Sequence, residues 1–518
     1  MSIARPDITA SLIPAGVTVG LTEEKLLIVG QMRTGTATSG ALVENILNDN
    51  SWDTLFGVDS AIAAAIDQAR RYNAITQIDA IGLSDNGAGT AAAGVIAATG
   101  PSTEVGTYTV FVGSQKYRKY IVAVASGDST TVIGATVEAA INADTESMVT
   151  AANVAGTVTL TAKNKGTFGN TIGLKITGAV AGSTLTVQTA MTGGLTDPVL
   201  TGVFDAVGSK RYQGIAWQFQ DDLDELTDFL DPRLNVDNNV LDGVGFVSDT
   251  DSLANHLVAL GSLNSQSLSI NSDKLISASM HKGPNILEVP FVKAAGFAAI
   301  RALRRTDGTS ITRFVTARSA RDAFGGIRIN SKPYFNTPFP DLKLPDTGNS
   351  WTDVEINQII DAGGWVIDAN RAGTALIAGD VVTTYKTDAG GNPDPTFGFL
   401  NYADTSSVGR EYIVNNTRAK FVQYRATGGA LIEDVDSANE ASIAAFVAEL
   451  NSDLGSLAVT QSGIGTVNGE EVDFDKAFQD ALTVTLNPVT GKFFVDMKLF
   501  IVVQLRGITY AMKVAFEV

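Results

Sequence analysis

Two periods of apolar residues alternate along this chain. KLLIVG (25–30) and QIDAIGL (77–83) are apolar runs of strand length. Between them Ile62, Ala65, Ile66, Ala69 and Tyr72 recur at helical spacing, predicting a helix over 59–72 that Asp59 or Ser60 caps. Strand, helix, strand is a βαβ unit and predicts a parallel sheet. Near residue 99 the period changes to two. TYTVFVG (107–113), KYIVAVA (119–125), GTVTLTAK (156–163) and TLTVQT (184–189) read as strands, with one helix at 133–143.

After residue 198 the α/β alternation resumes. Strands are predicted at 213–219, 244–247 and 267–279. Helices are predicted at 221–230 (Leu223, Leu226 and Leu230 on one face, Pro232 as the stop), at 251–260 (Leu253, Leu257, Leu260) and at 291–304. Residues 305–350 are loop-rich, with four prolines in 331–346. Beyond them the pattern predicts a strand at 381–386, a helix near 405–425, a helix at 438–450 opened by a Ser437/Glu440 capping box, and a strand at 483–487.

The expected fold is therefore α/β and α+β, in several domains. A discontinuous α/β body (25–98 and 199–345) is interrupted by an inserted β-rich domain (99–198). It is followed by a C-terminal α+β domain (346–491). The composition shift at the insertion suggests a self-contained, outward-facing decoration with few contacts to the body.

Both ends read as linking arms. Residues 1–24 hold Pro6, Pro14, Gly16 and Gly20, which oppose a helix, while Val17, Val19 and Leu21 alternate as in a strand. Residues 492–518 predict two strands, about 495–505 and 508–517, joined at Arg506-Gly507. Phe494, Leu499, Ile501, Val503, Leu505, Tyr510, Met512, Val514 and Phe516 are the apolar positions. Strands this apolar aggregate if left as an open edge. The alternatives are burial in the chain's own sheet or addition to a neighbour's sheet.

Composition removes several function classes. There are no cysteines and two histidines, His256 and His281, which leaves little for thiol, zinc or hydrolase chemistry. His256 is expected at a helix boundary or surface, and His281 in a loop. The net charge of −18 disfavours nucleic acid. No apolar run is long enough to span a membrane, and the start lacks a signal-peptide core. GLSDNGAG (82–89) and NKGTFGN (164–170) lack the spacing and Lys-Ser/Thr of a phosphate loop. The cluster Asp221, Asp222, Asp224, Glu225 reads as a solvated first turn. Arg301, Arg304 and Arg305, with Arg313, Arg318 and Arg321, form two basic spots. They read either as solvated faces or as complements to acidic patches on neighbouring copies or a partner. No catalytic residue, metal site or cofactor is expected.

Particular stretches carry a family resemblance: KLLIVGQ (25–31), LTAKNKGTFGNTIGL (160–174) with MTGG (191–194), RYQGIAW (211–217), WTDVEINQIIDAGGWVI (351–367) and VVTTYKTDAGGNPDPTFGFLNYADTSSVGREYI (381–413). With the order of elements, they resemble the contractile tail sheath proteins of myophages, in particular the Mu-like branch. The resemblance implies a structural subunit of the virion tail, assembled in the bacterial cytoplasm into a helical homopolymer around an inner tail tube. It further implies one contraction that drives the tube through the bacterial envelope, and arms that add strands to neighbouring subunits. The partners implied are further copies, the tail tube protein, and baseplate and tail terminator or neck proteins, with no nucleic acid and no membrane insertion. The alternatives are the sheath of a phage-derived injection machine (bacteriocin or secretion-like) and, from another class, an NAD- or nucleotide-dependent α/β enzyme.

Overall fold

A computed structural model of the 518-residue chain describes residues 24–498, apart from 114–117, 235–240, 308–333, 335–336, 340–341, 343–349, 370–373, 395, 422–423, 427–430, 432–436, 457–460, 462, 468–469 and 488–491. It has two compact units. One holds 23–306 and 334–403. The other holds the described residues of 404–498.

The first unit is built on parallel strands. β1 (Lys25–Gln31) pairs in parallel with β3 (Gln77–Leu83) on one side and β11 (Gly214–Trp217) on the other. β12 (Val244–Asp251), β13 (Leu268–Ala278) and β16 (Gly364–Ala369) extend the parallel set beyond β11. β2 (Leu42–Val43) flanks β3, β17 (Ala375–Ala378) flanks β16, and β15 (Pro338–Phe339) pairs with β17, all antiparallel.

Both faces of this sheet are covered, and the side chains divide by period two. In β1, Leu26 and Ile28 enter one core while Leu27 and Val29 enter the other. In β3, Ile78 and Ala80 go with the first, and Ile81 and Leu83 with the second. The first face carries α1 (Ser51–Phe56), α2 (Ala61–Tyr72) and α6 (Pro290–Asp307). The second carries α4 (Asp224–Leu230), α5 (Leu253–Gly261) and α7 (Asp353–Asp361). The predicted stripe on α2 is buried through Ile62, Ala65, Ile66 and Ala69, and Ser60 is its cap, accepting from the Ala63 N–H at 3.1 Å. Phe297 on α6 is the aromatic hub of the first core, its ring centroid 5.3 Å from Phe246, 5.7 Å from Tyr334 and 4.5 Å from Trp365.

The insertion is not self-contained. β4 (Ala91–Thr99), β7 (Val149–Val154), β8 (Thr157–Lys165) and β10 (Thr184–Thr192) form an antiparallel sheet of order β10-β4-β8-β7. β5 (Gly106–Val112), β6 (Lys119–Val124) and β9 (Leu174–Thr177) form the other layer, with α3 (Thr130–Asn142) packed along β6 and β7. β9 also pairs with β14 (His281–Pro284), which pairs with β13. The insertion thus continues the main sheet through hydrogen bonds, and its Ile96, Val110, Val122 and Leu160 belong to the same core as Phe297. The expectation of few contacts to the body is corrected, because an edge at β14 and an edge at β9 each satisfy the other's backbone.

Other expectations shift as well. Residues 346–403 belong to the first unit, since β16 and β17 join its sheet, so the second begins near 404 rather than 346. The 381–386 stretch is not a regular strand: Val382 makes a single bridge to Phe399, and the Thr384 N–H donates to Leu268 O at 2.8 Å. Arg301 is not on a solvated face. It is buried, donating from Nη1 to Gln213 O at 2.8 Å. Arg313, Arg318 and Arg321 lie outside the described residues.

Both histidines are buried, not at a surface or in a loop. His281 opens β14, with Nε2 2.9 Å from Pro284 O. His256 is on the inner side of α5, edge-on to Trp351, with Nδ1 3.4 Å from Asp249 Oδ2. Its Nε2 is 2.9 Å from Asp273 O and 3.1 Å from the Asp251 N–H. Apolar stripes on α5 face the sheet, and position 256 shares that side with Leu253 and Leu260, which drew the imidazole inward.

Two outcomes follow from this packing. Excising residues 99–198 is expected to destabilise the body, because it strips β14 of its partner and opens the first core. Thermal melting by circular dichroism checks this, and a shortened chain that melts with the parent would overturn it. Burial lowers the affinity of His256 for a proton, but its hydrogen bond to Asp249, the Asp249 charge and the Asp273 carbonyl outweigh that and leave the pKa raised. A raised folded value adds stability that is fully present below about pH 6.5 and is lost as pH climbs through the folded value. The stability gap between the parent and His256→Gln is therefore expected to narrow as pH rises above about 6.5, read from denaturant midpoints.

Candidate subunit interface

In an open parallel sheet, ligands bind beyond the carboxyl ends of the strands where the winding reverses. Here that point lies between β1 and β11. The chain winds from β1 to β3 across one face, and from β11 onward to β12, β13 and β16 across the other. Gln31 ends β1 and Gln218 follows β11. Their side chains clasp: the Gln31 N–H donates to Gln218 Oε1 at 2.6 Å, and Gln218 Nε2 donates to Gln31 Oε1 at 2.6 Å. Gln31 Nε2 also reaches Asp85 Oδ1 at 3.0 Å and Lys165 O at 2.8 Å.

The end of β8 plugs the crevice. Asn164 Nδ2 donates to Asp85 Oδ1 at 2.8 Å, and the Lys165 N–H to Asp85 Oδ2 at 3.0 Å. Lys163 Nζ lies 3.0 Å from Asp59. The Phe291 ring lies over Gly30 so closely that a Cβ there would come within 2.5 Å of it. Hydrogen bonds among the protein's own amides and a carboxylate thus cross the carboxyl ends of β1 and β11. GLSDNGAG (82–89) accordingly runs from β3 into β4, supplying Asp85 to this network.

Nearby charged groups are spent on structure. The fully buried Lys293 ammonium pairs with Asp273. Lys386 Nζ donates to Leu260 O at 2.6 Å and Ala362 O at 3.3 Å, closing the carboxyl ends of α5 and α7. Burial holds the Lys386 pKa below its ordinary value. Among the described residues no group of three or more His, Asp or Glu is placed to hold a metal ion.

The second unit offers a different kind of site. α8 (Leu400–Phe421) runs into it and contributes Val408, Tyr412 and Ile413 to its core. β18 (Arg425–Ala426) pairs with β19 (Ser437–Ala438), and α9 (Glu440–Ser456) follows with Ile443, Val447, Leu450 and Leu454 inward. β20 (Ile464–Val467) and β21 (Glu470–Asp473) form a hairpin that leads into α10 (Phe474–Ala481). β22 (Thr483–Asn487) and β23 (Lys492–Asp496) form a second hairpin in antiparallel register, Thr485 opposite Phe494 and Leu486 opposite Phe493.

That hairpin alternates. Val484, Phe493 and Val495 pack onto the α8/α9 core, while Thr483, Thr485 and Asp496 face outward. Phe494 is outward too and 52% exposed. The first terminal strand, expected from about 495, starts at Lys492, and the first five residues of the 492–518 run have a local partner in β22. Of the sequence-predicted positions the structure places Phe494. Val17, Val19, Leu21, Leu499, Ile501, Val503, Leu505, Tyr510, Met512, Val514 and Phe516 lie outside the described residues.

The two edges of the hairpin differ. The Leu486 N–H donates to Glu440 Oε1 at 2.7 Å, so at that residue β22 points its donor away from β23. Alternation of an antiparallel ladder then turns the backbone groups of Phe493 and Val495 outward on β23. Glu440 covers part of the β22 edge, whereas β23 has no second strand partner among the described residues. Glu440 was expected in a capping box with Ser437. The box is instead Asn439 with Ser442: Asn439 Oδ1 accepts from the Ser442 N–H at 2.8 Å, and Ser442 Oγ from the Asn439 N–H at 2.9 Å. That Asn-x-x-Ser spacing was readable in the sequence, and it frees Glu440 for the strand edge.

No family model matches the chain. The Mu-like prophage FluMu tail sheath protein of Haemophilus influenzae is 24% identical over 408 residues, covering 77% of this chain and 76% of that protein. Among solved structures, a sheath tail protein from Desulfitobacterium hafniense aligns over 93% of this chain and 94% of its own, at 14% identity and a TM-score of 0.44. A sheath tail protein from Listeria innocua aligns over 93% of both chains, at 12% identity and a TM-score of 0.45. The resemblance read from the sequence is borne out by this likeness to a Mu-like tail sheath protein.

Proposed function

We propose that this chain is the subunit of a contractile tail sheath, polymerising as a helical tube around an inner tail tube and contracting to drive that tube through a bacterial envelope. The observation that carries the reading is the identity with a Mu-like tail sheath protein across three-quarters of both chains. The partners are further copies of the chain, the tail tube protein, and baseplate and terminator proteins. The place of action is the virion tail, with assembly in the host cytoplasm, and the insertion faces outward.

Strand addition links the subunits. The β23 edge offers the backbone groups of Phe493 and Val495, and an incoming strand satisfies both rows at once. The arm at 1–24, with Val17, Val19 and Leu21, and the run 499–518 are the strands exchanged. A two-stranded hairpin is marginal by itself, and a third strand completes it. Backbone pairing does not depend on side-chain identity, so such links persist while α/β bodies rotate and rearrange their interfaces. Contraction then draws on larger buried area in the final state, and needs no nucleotide.

Two measurements test the reading. Removing residues 499–518 keeps β23 and the core beneath it, so the truncated chain is expected to fold but not polymerise. Negative-stain micrographs of the parent should show tubes or rings, and those of the truncation only single subunits. Tubes from the truncated chain would overturn the role of this segment, and a parent that never assembles would overturn the sheath reading. Val495→Pro removes an outward donor from β23 without touching the Thr485–Phe494 pair. It is expected to reduce polymer yield sharply while melting remains a single cooperative transition; full yield would show that this edge receives no strand.

A further inference from the structure

The imidazole of His256 meets two backbone groups with one nitrogen. Its Nε2 lies 3.1 Å from the Asp251 nitrogen and 2.9 Å from the Asp273 carbonyl oxygen, while Nδ1 lies 3.4 Å from Asp249 Oδ2. A ring nitrogen holds either a lone pair or a proton, so Nε2 serves a donor or an acceptor, not both. The Asp251 N–H belongs to the corner where β12 turns into α5. There Asp251 Oδ1 accepts from the Ser252 N–H at 2.6 Å, and Ser252 Oγ caps α5 by accepting from the Asn255 N–H at 3.3 Å. The Asp273 carbonyl belongs to β13, the neighbouring strand. The two choices differ mechanically. One ties the ring to the corner that starts its own helix, and the other ties α5 to the next strand.

We propose that His256 is a proton-operated hydrogen-bond switch at the β12–α5 corner. With the ring neutral, Nδ1–H donates to Asp249 and Nε2 accepts from the Asp251 N–H. With the ring protonated, Nδ1–H keeps Asp249, and Nε2–H donates to the Asp273 carbonyl and releases the Asp251 N–H. The groups around the ring favour the proton. β12 presents Asp249 and Asp251, and Asp221, beyond β11, adds its charge to theirs. On β13, Asp273 is paired with the buried Lys293 of α6, and Lys274 Nζ lies 3.8 Å from Glu355 of α7. Trp351 meets the ring edge-on, with Lys274 Nζ 5.1 Å from its own centroid. The surplus beside the imidazole is therefore negative. Burial opposes the proton, the Asp249 and Asp251 carboxylates with the Asp273 carbonyl outweigh it, and the changeover comes above about pH 6.5.

Two histidines in the whole chain make the test direct. Nitrogen NMR of unassembled full-length protein carrying isotope-labelled histidine reads each ring nitrogen, and the resonances missing from His256→Gln identify His256. At high pH, Nδ1 is expected to be protonated and Nε2 a bare acceptor; on acidification Nε2 gains the proton. An Nε2 already protonated at high pH would overturn the switch. Hydrogen exchange of residues 249–256, followed by mass spectrometry and corrected for the intrinsic pH dependence of exchange, gives an independent reading. Protection at the corner is expected to fall several-fold as the ring protonates. Asp249→Asn should show the same step at lower pH, because a carboxylate that favours the proton is gone. His256→Gln should show no step, since an amide does not titrate. A parent without the step, an equal step in His256→Gln, or a midpoint unmoved by Asp249→Asn would each overturn the proposal.

Discussion

Burial of the parallel strands on both faces is the constraint on which the first unit depends. β1, β3 and β11 are apolar at nearly every position, and no arrangement with one wet face accommodates them. Two helical layers must therefore cover the sheet, and period two sends Leu26 and Ile28 to one layer and Leu27 and Val29 to the other. The two winding directions that supply those layers create the reversal between β1 and β11. In a ligand-binding protein this geometry is an opening. Here the insertion returns its strand end to that spot, and amide-to-amide and amide-to-carboxylate bonds close it. A polar network fully satisfied inside the protein is rigid, and any substrate would have to break it.

The same logic governs the edges. A strand end that lacks a partner invites pairing, and the molecule answers differently at each place. β14 and β9 satisfy each other, which binds the insertion into the main sheet. Glu440 blunts part of the β22 edge with a carboxylate. β23 keeps outward backbone groups next to an exposed Phe494, and the apolar run of residues 499–518 follows directly.

Much of the first unit was legible from the sequence. Residues 77–83 are a strand with unchanged limits, 25–30 lengthens by one residue, and the α2 stripe and its Ser60 cap follow from spacing alone, because local periodicity and capping act within a few residues. The family likeness was legible too, carried by runs such as WTDVEINQIIDAGGWVI. What sequence alone could not supply involves contacts between distant residues. Gln31 finds Gln218 and Lys165 from more than a hundred positions away. The inserted strand β9 finds β14. Arg301 turns inward to Gln213, and His256 is buried by a helix face whose other members are leucines. Glu440 looked like half of a cap and instead covers a strand edge forty-six residues on. Composition and periodicity determined the class of each element and the poverty of chemical groups, since these depend on residue type and local spacing. Tertiary structure decided which edges are closed, which crevice is filled and which charges are hidden, because hydrogen bonds across the sheet answer to topology, and topology joins residues that no local pattern connects.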